Sequence, residues 1–199
     1  MQVRDGIAPR AEAATGRVIA HIAGAMAWTG GLILTALAIM VCLSILGRQL
    51  DGIWIFGPIS GDYELVEAGT AIAVFAFLPW CQLKRGHVAV DIVVQALPYR
   101  LKAVSGLVGD ILLAVVAYVI AWRLYVGFAE KFPHGSDGLR SALGMGPRPF
   151  FAETTYELEI PVWIPYGLSL IGAVLFFVTA LYTVWRSVNW VARGMEAAP

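Results

Sequence analysis

Between Val18 and Gly47 the chain runs for 30 residues without an Asp, Glu, Lys or Arg. About 20 apolar residues, each rising ~1.5 Å, cross the hydrocarbon of a bilayer as a helix. A run this long is a membrane span with room to tilt or protrude. It also exceeds the apolar core of a secretory signal peptide, so it reads as an uncleaved anchor. Three further runs follow, about 63–83, 99–126 and 160–185. The second carries Glu64 and Glu67 early and Pro79 late, the third contains Asp110 and Arg123, and the fourth is uncharged. Only 14% of residues are charged and mean hydropathy is +0.73, whereas soluble domains carry roughly a quarter charged residues. The predicted fold is therefore an all-α integral membrane protein with four transmembrane helices. A single membrane domain over 18–190 sits between tails at 1–17 and 191–199. The zero formal net charge gives no sign of a nucleic-acid partner.

Orientation follows from where Lys and Arg fall in the short connections. With the N-terminus inside, nine cations face the cytoplasm: Arg4, Arg10, Arg17, Lys84, Arg85, Arg100, Lys102, Arg186 and Arg193. Four face outward: Arg48, Lys131, Arg140 and Arg148. Both termini are expected in the cytoplasm, and 127–159 becomes an outer loop. Cys42 and Cys81 then lie at opposite faces, too far apart for a disulfide.

The least regular stretch is FLPWCQLKRGHVAVDIV, Phe77 to Val93. Pro79 can kink the last helical turn, and Lys84 and Arg85 suit both a helix C-terminus and an anionic leaflet. Gly86 is expected to make the sharp turn. Asp91 can cap a short amphipathic interfacial helix, about 91–98, stopped by Pro98. A plain lipid anchor would explain those cations, but it leaves Cys81, Gln82 and His87 unaccounted for.

Glu67, Leu78 to Val88 and Val90-Asp91-Ile92 resemble the signature of the small membrane subunit of TRAP transporters, the DctQ type. Leu158, Ile160-Pro161 and Trp163 resemble its second, shorter signature. The resemblance spans about residues 18–190. It implies a small permease subunit in a bacterial inner membrane that is not an enzyme. Its implied partners are a large DctM-type membrane subunit and a periplasmic DctP-type solute-binding protein. The large subunit would take up a small organic acid, driven by sodium, and the small one would scaffold it. Glu67, Pro79, Cys81, Gln82, Arg85, Gly86, His87, Asp91, Asp110, Pro161 and Trp163 are the expected motif or partner-interface residues.

Charges inside the bilayer cost roughly 2.5–3.5 kcal/mol each when central and unpaired. Glu67 and Arg123 stand at matching depth on sequential spans and are expected to pair. Glu64 is the alternative carboxylate, and snorkelling of Arg123 to the headgroups is the alternative to any pair. Asp110 lies deeper, with no cation expected at its depth. Water, a hydroxyl such as Ser105, or a partner subunit would have to satisfy it. Small residues recur at Ala20 and Gly24, at Ala23, Ala27 and Gly31, and at Ser105 and Gly109, a spacing that lets helices approach closely.

No cofactor, metal ligand set or nucleophile–base pair stands out. His21, His87 and His134 do not suit haem between spans. The rival function is a haem- or quinone-binding anchor of a respiratory complex. A self-assembling channel would need a polar stripe along a span, which the first and fourth are expected to lack. The topology has a direct check. Reporter fusions after Pro58 and Gly138 should report outside and one after Pro98 inside, and a cytoplasmic signal at Gly138 would refute four spans.

Overall fold

The computed structural model describes residues 9–50, 57, 59–86 and 99–193. Its helices are α1 (Pro9–Gln49), α2 (Asp62–Leu83), α3 (Tyr99–Lys131), α4 (Asp137–Ala142) and α5 (Trp163–Arg193). All but α4 are long and apolar enough to cross a membrane. The interfacial helix expected over 91–98 lies outside the described residues.

Helix boundaries depart from the apolar runs where polar groups continue the backbone bonding. α1 begins at Pro9, well before Val18. Pro suits a first helical turn and the Ala-rich PRAEAATGR segment favours helix. At ~1.5 Å per residue, its 41 residues reach about 60 Å, twice a bilayer core. α5 starts at Trp163, not Ile160, because Thr154 and Pro161 form an isolated antiparallel bridge. Thr155 N–H donates to the Ile160 carbonyl (2.9 Å) and Val162 N–H to that of Glu153 (2.9 Å), closing this hairpin-like segment.

α3 extends to Lys131 because the following loop supplies donors for its last carbonyls. Arg140, on the short helix α4, is 2% exposed. Its guanidinium donates to the carbonyls of Ala129 (2.9 Å), Phe132 (2.7 Å), His134 (3.2 Å), Met145 (3.3 Å), Gly146 (3.1 Å) and Pro147 (3.1 Å). A cation at a helix C-terminus meets both the unpaired carbonyls and the negative end of the macrodipole. The loop over 127–159 is thus folded around one buried arginine. The Glu64 carboxylate joins it to α2 by accepting the N–H groups of Glu157 (2.7 Å) and Leu158 (3.0 Å).

The membrane helices pack in the order α1–α2–α5–α3, with a slighter contact between α1 and α5. Among the described residues α2 and α3 make no close backbone approach, because α5 stands between them. α5 accordingly carries much of the core. Ala173, Phe176 and Ala180 are buried, with Ser169, Thr179, Thr183, Ser187 and Asn189. From Ser169 through Thr183 to Ser187 they recur every three or four residues and form one stripe, whereas Asn189 bonds to Glu12 of α1. The fourth span therefore has the polar stripe that its apolar composition disguised. The stripe faces the bundle, and Thr179 and Thr183 return their hydroxyls to the carbonyls of Leu175 and Ala180 (2.8 Å each).

Pro79 is buried within α2. Lacking an N–H, it leaves the Phe75 carbonyl without its usual helical donor. Gly172 of α5 lies against that carbonyl, and a Cβ there would stand 2.5 Å from the oxygen and 2.7 Å from its carbon. The proline and the glycine together set how closely α2 and α5 approach. On α1, Gly24 packs against Trp80 and Gly30 against Ala73 and Ala76, whereas Gly31 faces open space.

Gly172→Ala should destabilise the purified chain by about 1–3 kcal/mol, the usual cost of overpacking, because backbone atoms obstruct the added methyl. Gly31→Ala should leave thermal unfolding in detergent unchanged. Equal melting temperatures for the two variants would contradict this packing.

Candidate functional site

Gln82 and Asp110, two polar side chains that sequence reasoning left unexplained, lie at the end of the bundle where α1 begins and α5 ends. The last turn of α2 closes with paired bonds, Arg85 N–H to the Gln82 carbonyl (3.1 Å) and Gly86 N–H to that of Cys81 (2.8 Å). This is the Schellman arrangement, which needs a left-handed residue just beyond the helix. Glycine normally takes that position, and Gly86 was the expected choice. Here Arg85 takes it, with φ 52°, and Gly86 comes one residue later. A left-handed conformation costs a side-chain-bearing residue roughly 1–2 kcal/mol.

That conformation accompanies an inward-reaching guanidinium. Arg85 Nη2 donates to Asp110 Oδ2 (2.7 Å) and to Ser187 Oγ (2.7 Å). Ser187 in turn donates its hydroxyl to the same Asp110 oxygen. The guanidinium also lies over the Trp190 ring, 4.8 Å from its centroid. A Cβ placed on Gly106, one turn before Asp110, would stand 3.8 Å from Arg85 Nη1. Asp110 is 6% exposed. Its expected lack of a cation is thus overturned: the cation comes from beyond the end of α2, and the hydroxyl is Ser187 rather than Ser105. Span-by-span depth missed this because a long arginine stem reaches back past its own helix end.

Neighbouring contacts extend the clasp to every membrane helix. Gln82, 1% exposed, donates its amide to Thr183 Oγ1 (2.9 Å). Arg186 donates to the Leu83 carbonyl (3.3 Å), and Asn189 donates to the Glu12 carboxylate on α1 (2.6 Å). Of the residues singled out by sequence, Gln82, Arg85 and Asp110 come together here, and Pro79 supports them from within α2. Cys81 is half-buried and Gly86 exposed. His87 and Asp91 lie outside the described residues. Thr183, Ser187 and Asn189 were missed; the available signal was the three- and four-residue spacing that leads from Ser169 through Thr183 to Ser187, and it does not include Asn189.

The other end is separate. Trp163 packs edge-on against Phe132 (5.2 Å) and His134 (6.1 Å), which ties the start of α5 to the end of α3, with Pro161 in the preceding bridge. Asp62 of α2 accepts from Ser44 of α1 (2.6 Å) and from Arg48. Glu67 and Arg123 are both exposed, and no ion pair joins them in this structure. The helices that carry them are kept apart by α5. Cys42 and Cys81 are free thiols. Among the described residues no three His, Cys, Asp or Glu side chains gather as a metal ion would require.

The arrangement fastens helices to one another. It defines a multi-pass membrane protein in which the buried carboxylate Asp110 is satisfied by the chain's own packing. The family model for the DctQ component of tripartite ATP-independent periplasmic transporters matches residues 37–189, which include the clasp except Glu12 and Trp190. The chain belongs to that family and is a small membrane component of a TRAP transporter. No curated protein and no solved structure matches it.

Asp110→Asn removes the carboxylate and leaves the Arg85 cation at the bundle edge. Removing one partner of a buried pair costs about 3–5 kcal/mol. With the Arg85 side chain 26% exposed, the lower end of that range is expected, read as a fall in melting temperature in detergent. Arg85→Gln combined with Asp110→Asn should recover part of the loss. No recovery in the double variant would show that the pair contributes nothing.

Proposed function

We propose that this chain is the scaffold that holds the large, DctM-type subunit in the bilayer. That subunit carries a small organic acid inward with sodium, after a periplasmic solute-binding protein delivers it. Family membership carries the reading, and the surface of the bundle supports it. The outer helices α1 and α3 keep broad apolar faces uncovered, including Trp28, Leu32 and Leu46 on α1 and Leu112, Val115 and Trp122 on α3. On those two helices Gly31 and Gly109 border open space, so another helix has room to approach. The expectation for Glu67, Cys81, Gly86, His87, Asp91, Pro161 and Trp163 as partner contacts belongs to this proposal. So does an inner-membrane location with both termini in the cytoplasm.

Arg85, Gln82 and Asp110 serve this role indirectly, by fixing the end of α2 from which Gly86 and the following segment depart. The rival respiratory anchor finds no support in the family match. On the described part of the chain, His21 is exposed and bonded to the Arg17 carbonyl (2.7 Å), and His134 packs on Phe132 at the far end.

Co-expression with the large subunit tests the proposal. A tagged chain should retain that subunit through purification. Gly31→Leu and Gly109→Leu should each reduce recovery several-fold while leaving the melting of the isolated chain unchanged. Full recovery and undiminished uptake in both variants would place the large subunit elsewhere, and a haem band in the purified chain would favour the rival.

A further inference from the structure

Beside the clasp, between α1 and the ends of α2 and α5, lies a hollow of about 380 Å³. Its size falls within the range of small-ligand sites. Arg17, Lys84, Arg85 and Arg186 line it, with Tyr182 and Trp190 as aromatic walls, and no carboxylate lines it among the described residues. Asp110 answers Arg85 from the far side. Arg186 donates to a carbonyl and lies over Tyr182 and Trp190, 5.8 and 4.9 Å from their centroids, and among the described residues no carboxylate forms an ion pair with it. Two buried guanidinium nitrogens on this wall, Arg85 Nε and Arg186 Nε, have no hydrogen-bond partner among the described residues. Buried donors in folded proteins are nearly always satisfied, so unpaired ones on a cationic wall point to a missing acceptor.

The surroundings identify the acceptor's carrier. Tyr182 and Arg186 continue, one turn at a time along α5, into Val178, with Val174 and Ile171 alongside. These three are 43%, 48% and 60% exposed. An apolar strip therefore leads from the cations toward the middle of the bundle. A cationic head site at the helix ends, joined to an apolar path toward the bilayer centre, matches a phospholipid: its phosphate in the hollow and an acyl chain along α5. A carboxylate from a partner protein would meet the cations but leave the strip unused.

We propose that this hollow binds the phosphate group of an anionic phospholipid. The proposal does not depend on the transporter role. Its chemistry is that of a phosphodiester held by guanidinium donors, which form strong charge-assisted bonds with phosphate oxygens.

Native mass spectrometry of the full chain, released from nanodiscs of phosphatidylglycerol or phosphatidylcholine with matched acyl chains, tests it. One phosphatidylglycerol should stay bound where phosphatidylcholine is lost, and it should raise the melting temperature. Arg186→Gln and Arg17→Gln should each weaken retention about fivefold, the effect of roughly one basic side chain on an anionic lipid. Arg17 is exposed, so its variant keeps the test valid if Arg186→Gln fails to fold. Arg10→Gln removes an exposed cation of the same helix end outside the hollow and should change nothing. Soluble glycerol phosphate at millimolar concentration separates the sources: stabilisation by it alone keeps the phosphate site but assigns it to a free anion. Equal retention of both lipids, or equal losses for Arg10→Gln and Arg17→Gln, would overturn the site.

Discussion

Arg85, Asp110 and Ser187 form the contact on which the rest of this bundle depends. A carboxylate within the span of α3 is tolerable only with a partner, and the partner here is a guanidinium reaching in from just past the end of α2. The same guanidinium requires an unusual backbone. Arg85 adopts the left-handed conformation that glycine usually supplies, with Gly86 immediately after it. The strain of roughly 1–2 kcal/mol is smaller than the cost of leaving Asp110 unpaired, so the ion pair prevails. The Lys-Arg-Gly order is thereby explained. The cation belongs inside the turn, and the glycine follows without taking the left-handed position.

Lipid supplies no hydrophobic force between helices, so close packing and polar bonds must hold them. The bundle divides these tasks along its length. At one end the arginine clasp joins all four long helices. At the other, Glu64 and Asp62 bind backbone and side chains of neighbouring segments, and Arg140 gathers the loop carbonyls. Between them the α2–α5 contact relies on closeness, with Gly172 against the carbonyl that Pro79 leaves free. α5 takes part in every layer, which is why the least charged span carries the densest set of buried hydroxyls.

This economy has a functional consequence. Asp110 and Ser187 bind each other, Thr179 and Thr183 bond back to their own helix, and α1 and α3 keep apolar faces exposed. A subunit built this way suits a role in holding another protein in place. That is the role we propose within the TRAP transporter to which its family assigns it.

The sequence by itself determined the number of membrane helices, because four apolar runs of about 20 residues or more, two of them charge-free, have few other stable solutions. It also determined the family, through the Cys81 to Asp91 block that the match over 37–189 contains. Which helices are neighbours was not legible there. Glu67 and Arg123 matched in depth, yet depth says nothing about azimuth, and α5 inserted between α2 and α3 keeps them apart. Asp110 looked solitary because a helix end was treated as the limit of its side chains, whereas an arginine stem reaches well past it. The stripe from Ser169 to Ser187 was present in the letters, but hydroxyls scattered through apolar residues acquire a common direction only once the helix has neighbours. Tertiary structure alone decided these pairings, because each depends on rotation about the helix axis, which packing sets and composition does not.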